Sequence, residues 1–461
     1  MKYDRSNIIV PGIFFISLLV LLSGSCSDST DKNIIIGNKH FVYIVGGDGS
    51  NLHFIDNSEG KDYIDDGKDS KCAFIISRGK RYEITGLAYK GNNLEMEFGT
   101  SGVKTVVDVR RKNDRVIFEV ISVTGDPESL TFVNIPLKLE GMPYESFGAC
   151  ALSMNLFTHV RQIPALHNEL WATCYKRFGM EGAEVTLLGL PQRQILPVIR
   201  DVMSEAKDVP FSDKGGAWAL MQKEGYGSYL MNFGTLTEES VDEWIGMCRS
   251  LGFNQIDNHG GGAFFRFGDF ELNREKWPDG WETFRRINAR LHEAGISSIF
   301  HTYAFFIDKN SRYVTPVPSE DLGFINSFTL KEPIDSTSDE IMVNESTTNI
   351  STITGFHVEN SVSLRIGKEL IVFSGVTKSP PYKFTGCRRG ANGTRPSSHR
   401  TDEKVFHLSE RFGRFVPGPE TPLFDEIAGN TARIVRDCGF DGIYLDAIDG
   451  SSVLGGEENF W

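Results

Sequence analysis

Side chains that do nucleophilic or proton-transfer chemistry gather at the ends of strand-like runs in the second half of the chain. Asp257-Asn258-His259 leads into Gly260-Gly261-Gly262, His301 and Tyr303 close the run Ile296–Tyr303, and Asp446 closes Phe440–Asp446 with Asp449 just beyond it. A fourth run ends at the neutral Asn232. A carboxylate fixed at a strand end is ionised near neutral pH and can attack an electrophilic carbon. Imidazole and phenol groups give and take protons. Each residue also has a plain structural use: Asp446 as a helix cap with Asp449 in a turn, His301 bonded to a backbone group, and His259 on a glycine-rich surface loop.

The elements that must position these residues alternate. Tyr229–Phe233, Phe253–Asp257, Ile296–Tyr303 and Phe440–Asp446 read as strands. Between them, Thr237–Leu251 places Val241, Trp244, Ile245 and Cys248 on one face at helical spacing. Trp281–Ala294 turns Phe284, Ile287 and Leu291 inward and is closed by Gly295, and Thr421–Cys438 ends at Gly439. Thr235 and Glu238 suit a capping box for the first of these helices. Strand–helix alternation implies a parallel sheet, here a (β/α)8-type barrel, whose chemistry lies at the C-terminal ends of the strands. The rhythm occupies only 217–303 and 416–461, roughly half of the ~250 residues of a full barrel. The domain 208–461 is therefore expected to hold a partial TIM barrel, incomplete at its C-terminus. A β-rich insertion, 308–419, splits it and carries the loop Cys387-Arg388-Arg389-Gly390-Ala391-Asn392-Gly393-Thr394. That loop is either solvated or a backbone cradle for an anion.

Ahead of the barrel, residues 34–207 show short alternating runs, among them Phe41–Val45, Tyr82–Tyr89, Thr105–Val109 and Val116–Val123. Polar turns separate them, which is the pattern of an antiparallel β-sandwich. A helix near Gln192–Ala206 leads out of it. The chain opens with Lys2 and Arg5, an apolar run from Ile8 to Leu22, and Ser23-Gly24-Ser25-Cys26. This is the order of a secretory signal, 1–25, and the Cys after small residues resembles the bacterial lipobox, with Cys26 as the acylated residue. About 15 apolar residues interrupted by Pro11 fall short of the roughly 20 that span a bilayer. The polar stretch 26–33 reads as a tether. A lipid-anchored position in the cell envelope follows, on the outer membrane at its periplasmic or surface face. Cys72, Cys150, Cys174, Cys248, Cys387 and Cys438 allow disulfides in an exported protein but show no zinc-type spacing. Cys248 and Cys438 fall on apolar helix faces. A net charge of −13 excludes nucleic acid as partner. The 6 Trp and 33 Phe suit both a core and sugar stacking.

Pro278-Asp279-Gly280-Trp281, followed by Leu291-His292-Glu293-Ala294-Gly295-Ile296 and a strand, resembles the second-helix and third-strand segment of the retaining α-galactosidase-type glycoside hydrolases, the clan of families 27 and 36. Gly439-Phe440-Asp441-Gly442-Ile443-Tyr444-Leu445-Asp446 is similar to that clan's fourth strand, and Gly252-Phe253 to Asp257 to its second. The chain departs from the clan at Tyr444, where the clan has Lys, and in the long insertion. The resemblance implies a glycosidase of oligo- or polysaccharides with Asp446 as nucleophile and Asp257 on substrate hydroxyls. It also implies His301, Tyr303, His259 and Asp449 along the subsite, and neither metal nor cofactor. The clan's acid/base, on a sixth strand, would fall beyond Trp461. A polysaccharide lyase is the second reading, with His301, Tyr303, Asn258, His259 and Arg266 supplying proton transfer and carboxylate neutralisation beside a uronate. A non-catalytic glycan-binding surface lipoprotein is the third.

Labelled palmitate should enter the wild-type chain in a bacterial host and be absent from Cys26→Ala. Equal labelling of both would contradict the anchor.

Overall fold

A computed structural model describes residues 33–67, 70–140, 146–161, 169–222 and 228–455. The expected signal segment, Cys26 and most of the tether lie outside the described residues. The chain divides into two compact units between Asp213 and Lys214.

The first unit is built from antiparallel strands. Three short strands, Ile34–Gly37, Phe41–Val45 and Asn51–Asp56, form one sheet. A second sheet runs in the order Glu169–Tyr175, Ser129–Pro136, Phe74–Ser77, Lys80–Glu83. A third has six strands, with Arg115–Thr124 and Lys104–Arg111 at its centre. Alternate residues of Lys104–Arg111 are buried, as period-two geometry requires when one face meets a core. Phe41, Phe54, Phe118 and Phe132 join all three sheets into a single apolar cluster, so the sandwich expected from the runs is present. The helix Gln192–Ser204 lays Ile195, Ile199 and Val202 inward. The six cysteines after Cys26 are buried free thiols.

The second unit carries the parallel sheet. Its strands, numbered along the chain, are β1 Tyr229–Asn232, β2 Gln255–His259, β3 Ser297–Thr302 and β4 Gly442–Leu445, adjacent in that order. The helices are α1 Val241–Leu251, α2 Trp281–Glu293 and α3 Pro422–Cys438. Phe284, Ile287 and Leu291 of α2 are fully buried at i, i+3 and i+7. They belong to an aromatic layer in which Phe300 of β3 stacks on Phe265, with Trp281 and Phe440 against its edges. Left-handed Gly252 and Gly439 end α1 and α3, where a side chain would be strained.

Two expectations are corrected. Among the described residues the sheet has four parallel strands and stays open; no closed barrel forms, and Ile443, Tyr444 and Leu445 of β4 are 43–46% exposed. The cap of α1 is Ser240 rather than Thr235. The Ser240 hydroxyl donates to the Thr235 carbonyl and accepts the Thr237 N–H, while Glu238 pairs with Arg286 of α2. Glu238, in the turn that precedes α1, is thus taken up by a long-range ion pair instead of the local capping box.

The insertion forms a four-stranded antiparallel sheet, a three-stranded one and a two-stranded ribbon. Its hairpin Ser363–Ile366/Glu369–Val372 turns at Gly367, as the sequence suggests. The Arg/Gly loop closes on an internal anion. Glu369 is fully buried and accepts a bidentate pair from Arg389 at 2.9 and 2.7 Å, the N–H groups of Gly390 and Ser397, and a contact with His399 at 2.8 Å. Burial alone would raise its pKa, but these partners outweigh it and hold the carboxyl at about 2, against an ordinary 4.5. A depressed folded pKa contributes stability that is complete above 4.5 and fades as pH falls from there toward 2. Glu369→Gln leaves Arg389 buried without its counter-ion and should cost about 3 kcal/mol in chemical denaturation at neutral pH. The gap to wild type should narrow steadily below pH 4.5. A pH-independent gap, or a loss below about 0.5 kcal/mol, the ordinary surface range, would contradict this account.

Candidate active site at the strand ends

The register of the sheet sets the site. His259 of β2 lies opposite His301 of β3, and His301 lies opposite Tyr444 of β4. Because side chains alternate, Asp257 shares the face of His259, Tyr303 that of His301, and Asp446 that of Tyr444. Five candidate side chains and Tyr444 therefore share one face, while Ile256 and Phe300 face the helices and their aromatic layer.

Within that face the contacts are specific. Asp257 is 1% exposed, and both its oxygens lie 3.0 Å from Nδ1 of His301, itself 3% exposed. Nε2 of His301 has no hydrogen-bond partner and lies 3.5 Å from Oδ2 of Asp446. The Asp446 side chain is 42% exposed. Its Oδ1 accepts the N–H of Ala447, and its own N–H donates to the Thr302 carbonyl, which fixes it to the end of β3. The His259 ring lies 4.2 Å from that of His301, centroid to centroid, and Nδ1 of His259 is 2.5 Å from the carbonyl of Gly260. Burial, and then the neighbouring His301, lower the pKa of His259. Burial, and then Asp446, raise those of Tyr303 and Tyr444. One ligand-capable atom from each of His259, His301 and Asp446 lies within 4.8 Å of the others, a convergence to which the sequence reading gave no metal.

The surrounding elements hold these groups rigidly. Asn232 donates to Asn258, and Asn258 donates to Ser298 and the Ile299 carbonyl, so a buried amide ladder ties β1, β2 and β3. Asn232 also accepts the N–H groups of Gly234, Thr235 and Leu236. The strand-end asparagines are thus scaffold. Gly260 turns the chain where a Cβ would lie 2.5–2.7 Å from the Phe265 and Phe267 rings. The residues that carry the family resemblance meet each other away from the site. His292 pairs with Asp441 at 2.9 Å, and Asp441 accepts the N–H of Ser298 at 2.7 Å.

The six side chains named from the sequence take four different positions. Asp446, His301 and His259 converge. Asp257 sits beneath His301 and takes up its Nδ1, so it positions the imidazole and is covered from solvent. Tyr303 stands beside His259, stacked on Phe267 at 4.5 Å. Asp449 lies exposed on the short helix Ile448–Leu454. Arg266 pairs with Asp269. The helix-cap alternative for Asp446 is not what forms: the cap position of Ile448–Leu454 is Ala447, and the Asp446 carboxylate reaches only the adjacent N–H. In place of the backbone partner considered for His301, its Nδ1 meets the Asp257 carboxylate.

Two contributors were not singled out. Tyr444 stacks on His301 at 4.4 Å, and its two-residue spacing from Asp446 already placed it on the same face. Arg414, from the insertion, lies over both Phe267 and Tyr303 and pairs with Asp308 at 2.9 Å. No periodicity in the sequence links Arg414 to β3.

No protein-family model and no curated protein matches the sequence. Among solved structures the chain is similar to an α-galactosidase from Lactobacillus brevis, at 9% identity and a TM-score of 0.41, covering 91% of this chain and 64% of that one. It is also similar to a family 36 α-galactosidase from Geobacillus stearothermophilus in complex with 1-deoxygalactonojirimycin, at 9% identity and a TM-score of 0.41, covering 89% and 65%. A third is an α-N-acetylgalactosaminidase from Bifidobacterium bifidum, at 10% identity and a TM-score of 0.35, covering 60% of each chain. The chain spans less than two thirds of the length of each of these proteins.

Proposed function

We propose that the second unit is a glycan-degrading enzyme, a glycoside hydrolase in which Asp446 is the nucleophile. One observation carries the reading: a half-exposed carboxylate at a strand end, anchored through its own backbone, stands 3.5 Å from an imidazole that a buried carboxylate holds fixed. Asp446 presents Oδ2 to the open face while Oδ1 and its own backbone N–H anchor it. A carboxylate so placed can form a bond to an anomeric carbon as the glycosidic bond breaks, given a second carboxyl to protonate the leaving oxygen. His259, Tyr303 and Tyr444 supply ring faces of the kind sugars pack against. Tethered through Cys26, the unit would meet its oligo- or polysaccharide at the cell envelope.

Elimination is the second reading, favoured by the Asp257–His301 pair. A carboxylate that holds Nδ1–H leaves Nε2 as the basic nitrogen, the arrangement of a general base.

With a panel of aryl α- and β-glycosides, Asp446→Asn should lower turnover by roughly 1,000-fold, about 4 kcal/mol in the barrier, with the melting temperature within a few degrees of wild type. Retained turnover in Asp446→Asn, lost in His301→Ala with unsaturated uronate products, would replace hydrolysis by elimination.

A further inference from the structure

We propose that His259, His301 and Asp446 form a binding site for a divalent transition metal ion of the zinc class. Neighbouring groups fix the hydrogen positions on both rings. Asp257 is a carboxylate with both oxygens 3.0 Å from Nδ1 of His301, so that nitrogen carries the hydrogen. The Gly260 carbonyl, 2.5 Å from Nδ1 of His259, likewise requires N–H there. In the neutral rings both Nε2 atoms are then bare lone pairs. One ligand-capable atom from each ring and from Asp446 lies within 4.8 Å of the other two, and Nε2 of His301 is 3.5 Å from Oδ2 of Asp446.

A buried acceptor without a donor is costly. Nε2 of His301 is such an atom: the residue is 3% exposed, the nitrogen has no hydrogen-bond partner, and it faces a carboxylate oxygen at 3.5 Å. A cation between the three groups removes the repulsion. Ligands bonded at about 2.0–2.2 Å around tetrahedral zinc lie roughly 3.4 Å from one another; His301 and Asp446 stand at 3.5 Å, and the His259 atom lies within 4.8 Å of both, so a small turn of its ring completes the set. Two imidazoles and one carboxylate suit zinc, and three protein ligands leave a fourth position for water or another small ligand. Asp257 then has a defined place in the site. Ligating histidines characteristically donate their second N–H to a carboxylate, which fixes ring and tautomer, and Asp257 does this from a buried position. The neighbouring register pair adds rigidity, because His259 and His301 are opposed residues on adjacent strands.

This inference goes beyond the hydrolase reading and does not rest on it. An ion on Asp446 ties up the carboxylate, so zinc occupancy and nucleophilic attack by Asp446 exclude each other, and binding is read without any substrate. After removal of bound metal with a chelator, the full chain should take up one equivalent of Zn2+ by isothermal titration calorimetry, with a micromolar or tighter Kd. His259→Ala and Asp446→Asn should each weaken binding at least tenfold while keeping the wild-type circular dichroism spectrum. Asp257→Asn, which touches no ion, should weaken it by about 10–100-fold. Co2+ in the same site should give the visible absorption of a tetrahedral centre, lost in His259→Ala. Absence of Zn2+ uptake below 100 μM would overturn the proposal. So would uptake unchanged in all three variants, because the ion would then be held elsewhere.

Discussion

The contact between the buried Asp257 carboxylate and Nδ1 of His301 is the constraint on which the rest of the site depends. A charged group with almost no solvent contact needs a partner, and Asp257 has one, on the adjacent strand. Holding that partner fixes the imidazole, directs Nε2 toward the strand ends and determines what Asp446 faces. The scaffold around the pair serves the same end. The Asn232–Asn258–Ser298 ladder fixes the spacing of three strands, the aromatic layer under Phe300 supports them from the helix side, and Gly260 lets the chain turn without disturbing His259.

The same residues invite two chemistries that cannot operate at once. A carboxylate at the open end of a strand is a nucleophile when its charge is unshared. The same carboxylate beside two imidazole lone pairs is a ligand. Which role operates depends on what lies between Asp446 and the histidines, and that in turn depends on the hydrogen being on Nδ1 of His301.

Much of this was legible in the sequence because it is local. The helices of the second unit announce themselves by 3.6-residue periodicity and glycine stops, and α2 and α3 end within a residue or two of expectation. Two-residue spacing is enough to place Asp257 with His259, and Tyr444 with Asp446. The rest depended on partners distant in the chain. Whether Asp257 faces substrate or lies beneath an imidazole is decided by its packing against β3, 44 residues away. The Arg/Gly loop read as solvated or as a backbone cradle for an anion, whereas it closes on Glu369 of the insertion's own sheet. Glu238 abandoned its capping box for Arg286, 48 residues on. Arg414 reached Tyr303 across the insertion. Likewise, a repeating strand–helix rhythm specifies parallel pairing but not closure, and the described sheet is open.

The position of the imidazole hydrogen tests this account most directly. Long-range proton–nitrogen NMR correlation of the histidine rings, with His301 assigned by comparison with His301→Gln, reads it at neutral pH in metal-free protein. The account predicts a His301 ring protonated at Nδ1 and bare at Nε2. A hydrogen on Nε2 would contradict it, because His301 would then donate to Asp446 and present no lone pair to it.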